Sequence, residues 1–175
     1  MYDYASPTPD DHAAIETLLD LAFGPDRHDK TSYRFREGVD PLPELNMIAR
    51  ENGRLVGTIA YWPVIIGQAA APALLLGPVA VEPSLRGLGI GVTLIRRTLA
   101  KACRDGHRLA VLVGDRDYYE RFGFTMAEPH GIVMPGQPDR LMAKALAADG
   151  LEGVSGAIRS WREAGRRAAR ARTAA

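Results

Sequence analysis

The chain has 175 residues, of which 46% are hydrophobic and 25% charged, the balance of an ordinary globular domain. One cysteine, Cys103, excludes an internal disulfide and a metal cluster built from cysteines, and no apolar run reaches the roughly 20 residues that span a bilayer. The N-terminus lacks the basic start and apolar core of a signal peptide, so we predict a soluble cytoplasmic protein without a membrane partner.

The first third of the chain predicts a strand, a helix and a hairpin in that order. Residues 2–6 form the strand, and a helix follows with Thr8 or Asp10 as its cap. A second, short helix is expected at about residues 31–36. Asn52-Gly53 predicts a two-residue hairpin turn, since both residues tolerate a positive φ.

The middle of the chain predicts a buried strand followed by an amphipathic helix. After a turn in "GQAAAP", the run "ALLLGPVAV" (73–81) is apolar almost throughout, as in a strand covered on both faces. Gly77-Pro78 within it predicts a bulge or bend that breaks regular pairing. The helix starts near Gly89 and stops near Gly106. Its predicted inner side carries Val92, Leu94, Ile95, Leu99, Ala102 and Cys103.

The last third predicts a strand at 108–113, a short helix closed by Gly123 and a last strand at 140–146. Alternating helices and strands predict an α/β domain with a mixed sheet over residues 1–150. Residues 151–175 are expected to form a basic C-terminal helix or tail.

The tail is strongly basic. Residues 156–175 hold six arginines and one acid, a charge of +5 in a chain whose net charge is +1, so the remainder carries −4. We predict a solvated helix with Ile158, Trp161 and Ala168 along one side, packed by its tryptophan. Contact with nucleic acid is the less favoured alternative.

Three glycines alternate in "RGLGIG" (86–91), directly between the buried strand and the amphipathic helix. The first turn of a helix has unpaired N–H groups and a partial positive charge, and bare backbone lets phosphate oxygens approach them. The dinucleotide fingerprint does not fit, because Val92 or Leu94 stands where its third glycine belongs, and no P-loop lysine follows. The pattern favours an anion-binding loop over a tight turn without a ligand.

The spacing R-x-x-G-x-G, formed by Arg86, Gly89 and Gly91, resembles motif A of the GNAT (Gcn5-related) N-acetyltransferase family. "YYERFGF" (118–124) is similar to the Y-x-x-x-G-F element of that family, and "GRLVGTIAYWPVII" (53–66) resembles its central strands. The likeness covers about residues 2–146 and is strongest to the YhbS-like bacterial branch. It implies the GNAT (acyl-CoA N-acyltransferase) fold, a mixed central sheet flanked by helices, with acetyl-CoA as cosubstrate and no metal.

The resemblance also implies the cofactor contacts. The pantetheine arm would lie along the strand before the loop, and the loop amides would hold the pyrophosphate. Arg86 would add a charge-assisted contact or remain a solvated loop residue. The implied cofactor-binding residues are Val79, Ala80, Val81, Arg86, Gly87, Leu88, Gly89, Ile90 and Gly91.

Acetyl transfer to an amine needs a route for two protons. An alkylamine is mostly protonated at neutral pH, with a pKa of about 10.4 for lysine, and the departing thiolate needs a proton or hydrogen bonds. Tyr119 stands four residues before Gly123 and matches the family's general acid, with simple packing as the alternative; Tyr118 is expected to pack.

The base is less clearly marked. Glu82, at the end of the buried strand, is a candidate, although a solvated carboxylate is its more ordinary role; water is an alternative, and Glu44, Glu51 and Asp115 lack positional support. The N–H of Val81 is implied as an oxyanion donor.

These observations predict an N-acetyltransferase that moves an acetyl group from acetyl-CoA to a primary amine of a small molecule or protein by direct attack. The alternatives are a non-catalytic sensor of CoA or acyl-CoA and, with less support, a nucleic-acid-associated protein. The acceptor pocket is expected from residues 24–44 and 125–139. Tyr61, Trp62 and His130 are further candidates, although sheet packing is the more common use of the two aromatic residues and a surface or structural role that of the histidine. The histidines lack metal-ligand spacing, and a homodimer is left open.

Overall fold

The fold is built on a mixed sheet. A computed structural model describes residues 1–29, 31–136 and 138–162. Within these ranges the strands are β1 (Tyr2–Ala5), β2 (Met47–Glu51), β3 (Arg54–Ile66), β4 (Ala71–Val81), β5 (Leu109–Val113), β6 (Thr125–Met126), β7 (Ile132–Val133), β8 (Leu141–Ala145) and β9 (Gly156–Ser160). The α-helices are α1 (His12–Phe23), α2 (Thr31–Arg34), α3 (Ile90–Arg104) and α4 (Arg116–Tyr119).

The strand order is β1-β2-β3-β4-β5-β8-β6, and β9 pairs with β3 and β7. Along that path β4 and β5 are parallel, whereas the other neighbours are antiparallel. The mixed direction expected from the sequence is therefore confirmed.

Helices α1 and α3 cover opposite faces of the sheet. Neighbouring strand residues point to opposite faces, and Ala49 packs in the cluster that contains Leu94 of α3, whereas Ile48 packs with Leu18 and Leu19 of α1. The apolar side of each amphipathic helix thus packs on the sheet.

Two predicted features of the central hairpins are confirmed. Asn52 and Gly53 have φ values of 49° and 80° in the turn between β2 and β3. In the next pairing Ile59 lies opposite Val79 and Tyr61 opposite Leu76, so Gly77 and Pro78 together face one residue of β3. That arrangement is the expected bulge, and it bends β4 where the strand approaches the site.

Strands β4 and β5 diverge. Their register pairs are Leu74 with Ala110 and Leu75 with Val111. Beyond Leu75, β4 continues for six residues to Val81 with β3 as its neighbour. The side of β4 that faces away from β3 is therefore open over this stretch, which creates a gap between two parallel strands.

Helix α1 starts later than expected. Thr8 and Asp11 bracket a 3-10 turn over Pro9–Asp11, because the Asp11 carboxylate accepts hydrogen bonds from the Thr8 N–H (2.8 Å) and hydroxyl (3.0 Å). The cap of α1 is therefore Asp11 and not Thr8 or Asp10.

Cys103 is exposed, contrary to the inner position expected of it. The buried stripe of α3 passes through Ile95, Thr98 and Ala102, and the next position along the chain turns about 100° away from it.

The C-terminal segment corrects two further expectations. Residues 156–160 form β9 instead of helix, and 140–146 does not hold the last strand. The long β3 extends beyond β2, and β9 covers its exposed edge, with Val64 opposite Ser160 and Ile66 opposite Ile158. Trp161 is 43% exposed. Residues 163–175 lie outside the described residues, as does most of the predicted tail helix, including Ala168.

In the part of the chain that the structure describes, none of the helices is long and apolar enough to cross a membrane.

Candidate active site

The open edge of β4 presents backbone amides to the gap. Glu82 donates its N–H to the carbonyl of Val56 on β3 at 2.9 Å. Because the direction of backbone groups alternates along an antiparallel strand, the N–H of Ala80 also faces β3, whereas those of Val79 and Val81 face the gap. An extended ligand lying in the gap can therefore accept hydrogen bonds from these two residues.

The glycine loop leaves open space above the start of α3. Gly87 and Gly89 have φ values of 85° and 82°, and a Cβ atom on either residue would meet nothing within 4 Å. Thr93 is the first intrahelical donor, with its N–H bound to Gly89 O at 2.9 Å, so the amides of residues 90–92 have no acceptor within the helix. The loop thus combines accessible N–H donors with a positive helix end, as an anion site requires.

Gly91 has a different role from the other two glycines. A Cβ atom there would lie 3.0 Å from the hydroxyl oxygen of Tyr118 and 3.5 Å from Cγ2 of Val81. Its bare backbone therefore lets the Tyr118 side chain reach the first turn of α3, beside the open edge of β4.

Two adjoining cavities occupy the region. The glycine-loop cavity, about 370 Å³, is lined by Val79, Ala80, Val81, residues 85–87 and 89–92, and Arg121, among others. The gap cavity, about 750 Å³, extends between the ends of β4 and β5, past Gly77, Pro78, Val113 and Gly114. Both are lined by Phe23, Val79, Arg86, Tyr118 and Tyr119.

Tyr119 lies where the two cavities meet and is held by aromatic contacts. Its ring centroid is 5.0 Å from that of Tyr118 and 6.1 Å from that of Phe124. A Cβ atom on Gly114 would overlap the Tyr119 ring, so the glycine after β5 makes room for it. Burial raises the pKa of Tyr119 to about 12, and the hydroxyl therefore stays protonated at neutral pH.

The predicted base is not brought to this point. The carboxylate of Glu82 forms an ion pair with Arg54 (2.5 Å) and accepts a hydrogen bond from the Ser84 hydroxyl (3.3 Å). Glu82 lines neither cavity, because the chain turns away from the gap after Val81. This geometry favours the more ordinary role of Glu82, an ion-paired surface carboxylate, over that of the base.

The positions of Glu44, Glu51 and Asp115 also give no support to a role as the base. Glu44 and Glu51 also line neither cavity. Asp115 lines the gap cavity, but its Oδ1 accepts the N–H of Asp117 at 3.0 Å and so caps α4.

Among the candidate acceptor residues, Tyr61 has the packing role that the sequence favours for it. It is fully buried beneath α3, where its hydroxyl forms a 2.9 Å hydrogen bond with Thr98. Trp62 points to the other face and lines a third cavity of about 260 Å³. His130 lines none of these three cavities.

The predicted acceptor loops are used unevenly. Ser32, Tyr33 and Arg36 of the 24–44 segment line the gap cavity. Of the 125–139 segment, none of the described residues does, although the adjacent Arg140 lines it. Arg36 was not singled out by the sequence, where it is one of many charges in a polar segment, yet it is 9% exposed. No pattern in the sequence could have distinguished it from the exposed Arg34.

Comparison with known proteins agrees with this arrangement. The protein-family model described as the acetyltransferase (GNAT) domain matches residues 3–127 of the chain. The uncharacterized N-acetyltransferase YhbS of Escherichia coli K12 is 30% identical over 153 residues, which are 86% of this chain and 90% of that protein. The uncharacterized N-acetyltransferase YjhQ of the same organism is 29% identical over 116 residues, 65% of this chain and 64% of that protein.

Solved structures give the same result. The crystal structure of Escherichia coli YhbS in complex with CoA has a TM-score of 0.80 and 28% identity, covering 94% of this chain and 92% of that one. A GNAT family acetyltransferase from Brucella melitensis in complex with acetyl-CoA has a TM-score of 0.68 and 30% identity, covering 91% and 95%.

Proposed function

The chain belongs to the GNAT acetyltransferase family, and from this premise we propose that it transfers the acetyl group of acetyl-CoA directly to a primary amine. The acceptor is the amine of a small molecule or of a protein. The observation that carries this proposal is the convergence of three parts on two adjoining cavities: the open amides of β4, the glycine loop and the Tyr119 ring.

The chain's own residues suit acetyl-CoA. The amides of Val79 and Val81 are positioned to bind the pantetheine arm as an added strand would. The loop amides of residues 87–91 and the exposed Arg86 suit the diphosphate, which carries negative charge and needs several N–H donors. The crystal structures of the two relatives contain CoA and acetyl-CoA, which supports the same ligand here.

In the proposed reaction the neutral amine nitrogen bonds to the thioester carbonyl carbon and the carbon–sulfur bond breaks. Because the arm would run back along β4 from the diphosphate loop, the thioester lies farther from the loop than Val81, so we assign the Val81 N–H to the pantetheine arm and not to the carbonyl oxygen. Tyr119 donates a hydrogen bond or its proton to the departing sulfur. The amine proton passes to water, since the Glu82 carboxylate is held by Arg54.

The test is the release of CoA thiol across a panel of amines, with acetyl-CoA affinity measured separately by calorimetry. We expect acetyl-CoA to bind without an amine and thiol release to require one. Tight binding of acetyl-CoA with no thiol release on any amine would instead favour the sensor alternative, because the loop and strand would then serve binding alone.

A further inference from the structure

Arg36 is a buried cation without an anionic partner among the residues that the structure describes. Its side chain is 9% exposed, and its Nε and Nη1 atoms are buried without a hydrogen-bond partner among the described residues. Its Nη2 lies 3.6 Å from the position that a Cβ atom on Gly77 would take, and both residues line the gap cavity. The guanidinium therefore lies at the wall of that cavity.

The neighbouring Arg27 shows how this fold pairs a buried arginine. Arg27 is 2% exposed, and its guanidinium binds Glu16 at 2.5 Å, Asp20 at 2.7 Å and the Tyr33 hydroxyl at 3.1 Å. Those two acids are therefore committed to Arg27.

Around Arg36 the contacts are aromatic. Its guanidinium carbon lies 4.3 Å from the Tyr33 ring centroid and 5.8 Å from that of Trp62. Among the residues 1–29, 31–136 and 138–162, no carboxylate forms an ion pair with Arg36. The rings hold the cation in place without neutralising it.

An unpaired buried charge opposes folding unless a partner compensates it. Burial lowers the pKa of Arg36 to about 10, so the side chain still carries its charge at neutral pH. The lining of the gap cavity carries an excess of positive charge, because Arg86 and Arg140 also line it and Asp115 is the one acid among its described lining residues. With Arg86 assigned to the diphosphate, Arg36 and Arg140 remain on the acceptor side with a surplus of positive charge.

We propose that Arg36 binds a carboxylate of the acceptor, so that the acceptor is a small amine that also carries a carboxylate group, as amino acids do. That such a molecule is acetylated rests on the proposed acetyl transfer, whereas its binding to Arg36 does not. Nη2, the guanidinium nitrogen closest to Gly77 and absent from the buried unpaired atoms, can donate a charge-assisted hydrogen bond to a carboxylate oxygen. The gap cavity, about 750 Å³ in all, has room for the end of the pantetheine arm and for a small molecule next to Tyr119.

The test compares matched acceptors: L-amino acids, their carboxamides and the amines that remain after decarboxylation. Each is measured for kcat/KM with acetyl-CoA and, by calorimetry, for binding to the protein with CoA and without it. The protein is compared as wild type, Arg36→Gln, Arg36→Lys and Arg34→Gln. Arg34→Gln is the control, because it removes an exposed charge from the same segment. Thermal unfolding verifies that each variant is folded.

For at least one amino acid, we expect kcat/KM to exceed that of its carboxamide by between about 10-fold and 100-fold, the usual effect of a hydrogen bond to a charged group. Arg36→Gln should bring that ratio to about one while acetyl-CoA affinity is unchanged, Arg36→Lys should restore part of it, and Arg34→Gln should retain it. A purely structural role of Arg36 would change stability but not this ratio.

The proposal is overturned if carboxamides and decarboxylated amines are accepted as well as the acids, or if the preference survives Arg36→Gln. It is also overturned if only peptides bind or react, or if no member of the panel does either. Failure of acetyl-CoA to bind in the absence of any amine is a different result. It refutes acetyl transfer, and the calorimetric comparison of carboxylates without CoA still tests Arg36.

Discussion

Replacement of Tyr119 by Phe isolates the hydroxyl group at the junction of the two cavities. The ring would keep its contacts with Tyr118, Phe122 and Phe124, whose centroids lie 5.0–6.2 Å away. The structure shows no hydrogen bond from the Tyr119 hydroxyl to another described residue. We therefore expect the melting temperature to change little, so that any loss of activity reflects chemistry rather than unfolding.

The size of the effect follows from the pKa of the group. A positioned general acid contributes about 10²- to 10⁴-fold. With a pKa of about 12, raised by burial, Tyr119 is a weaker acid than an ordinary thiol, whose pKa is about 8.5, so complete proton transfer to the thiolate is uphill. Its main contribution is then a hydrogen bond to the developing thiolate. We expect the low end of the range, a loss of about 100-fold in kcat, or about 2.7 kcal/mol.

The assay is steady-state thiol release between about pH 6 and pH 10, the range over which the amine loses its proton. The wild-type rate should rise with pH and show no fall from Tyr119 ionisation until close to its pKa. The Tyr119→Phe enzyme should keep the rising profile at a lower level, with acetyl-CoA affinity within roughly twofold. Tyr118→Phe serves as the matched control, with a smaller loss of kcat.

The reasoning is refuted if Tyr119→Phe retains kcat to within about threefold, or if its loss is matched by an equal loss of acetyl-CoA affinity. A larger loss in Tyr118→Phe would move the acid role to the neighbouring residue, whose hydroxyl lies at the start of α3.

Three further predictions concern residues around the site and the fold. Gly114→Ala should lower kcat by about tenfold or more with acetyl-CoA affinity retained, because the new methyl group displaces the Tyr119 ring; an unchanged kcat in the thiol-release assay would contradict this. Glu82→Gln should keep kcat within about threefold in the same assay, whereas a loss near 100-fold would restore Glu82 as the base. Hydrogen bonds, chiefly from the Thr8 N–H, lower the pKa of Asp11 below 3.8, so the ionised carboxylate stabilises the fold above that pH and the benefit disappears as pH falls through the lowered value. Thermal unfolding should therefore show a difference in melting temperature between wild type and Asp11→Asn at neutral pH that disappears as the pH falls through the lowered pKa, and a constant difference would contradict it.

Short sequence patterns predicted several local features of the fold correctly. The Asn52-Gly53 turn, the Gly77-Pro78 bulge and the glycine loop each depend on backbone freedom that short sequence patterns reveal, and all three are where the sequence placed them. The family resemblance, confirmed by relatives across most of the chain, supplied the GNAT fold with its mixed central sheet flanked by helices, which such signals cannot give.

The misplaced elements depend on tertiary contacts. β9 forms because the edge of β3 from Val64 to Ile66 needs a hydrogen-bonding partner, and no pattern within "GAIRS" predicts that pairing. Glu82 lies beside the site in sequence, but its carboxylate turns to Arg54 on the neighbouring strand. Arg36 is one charge among many until the packing of Tyr33 and Trp62 buries it.

The most direct measurement is a crystal structure of the protein with acetyl-CoA. It should place diphosphate oxygens about 2.7–3.2 Å from backbone nitrogens within residues 87–91, with the pantetheine arm hydrogen-bonded to Val79 and Val81 and the sulfur facing Tyr119. A diphosphate bound away from the start of α3, or a pantetheine arm outside the gap between β4 and β5, would contradict the assignment of this site.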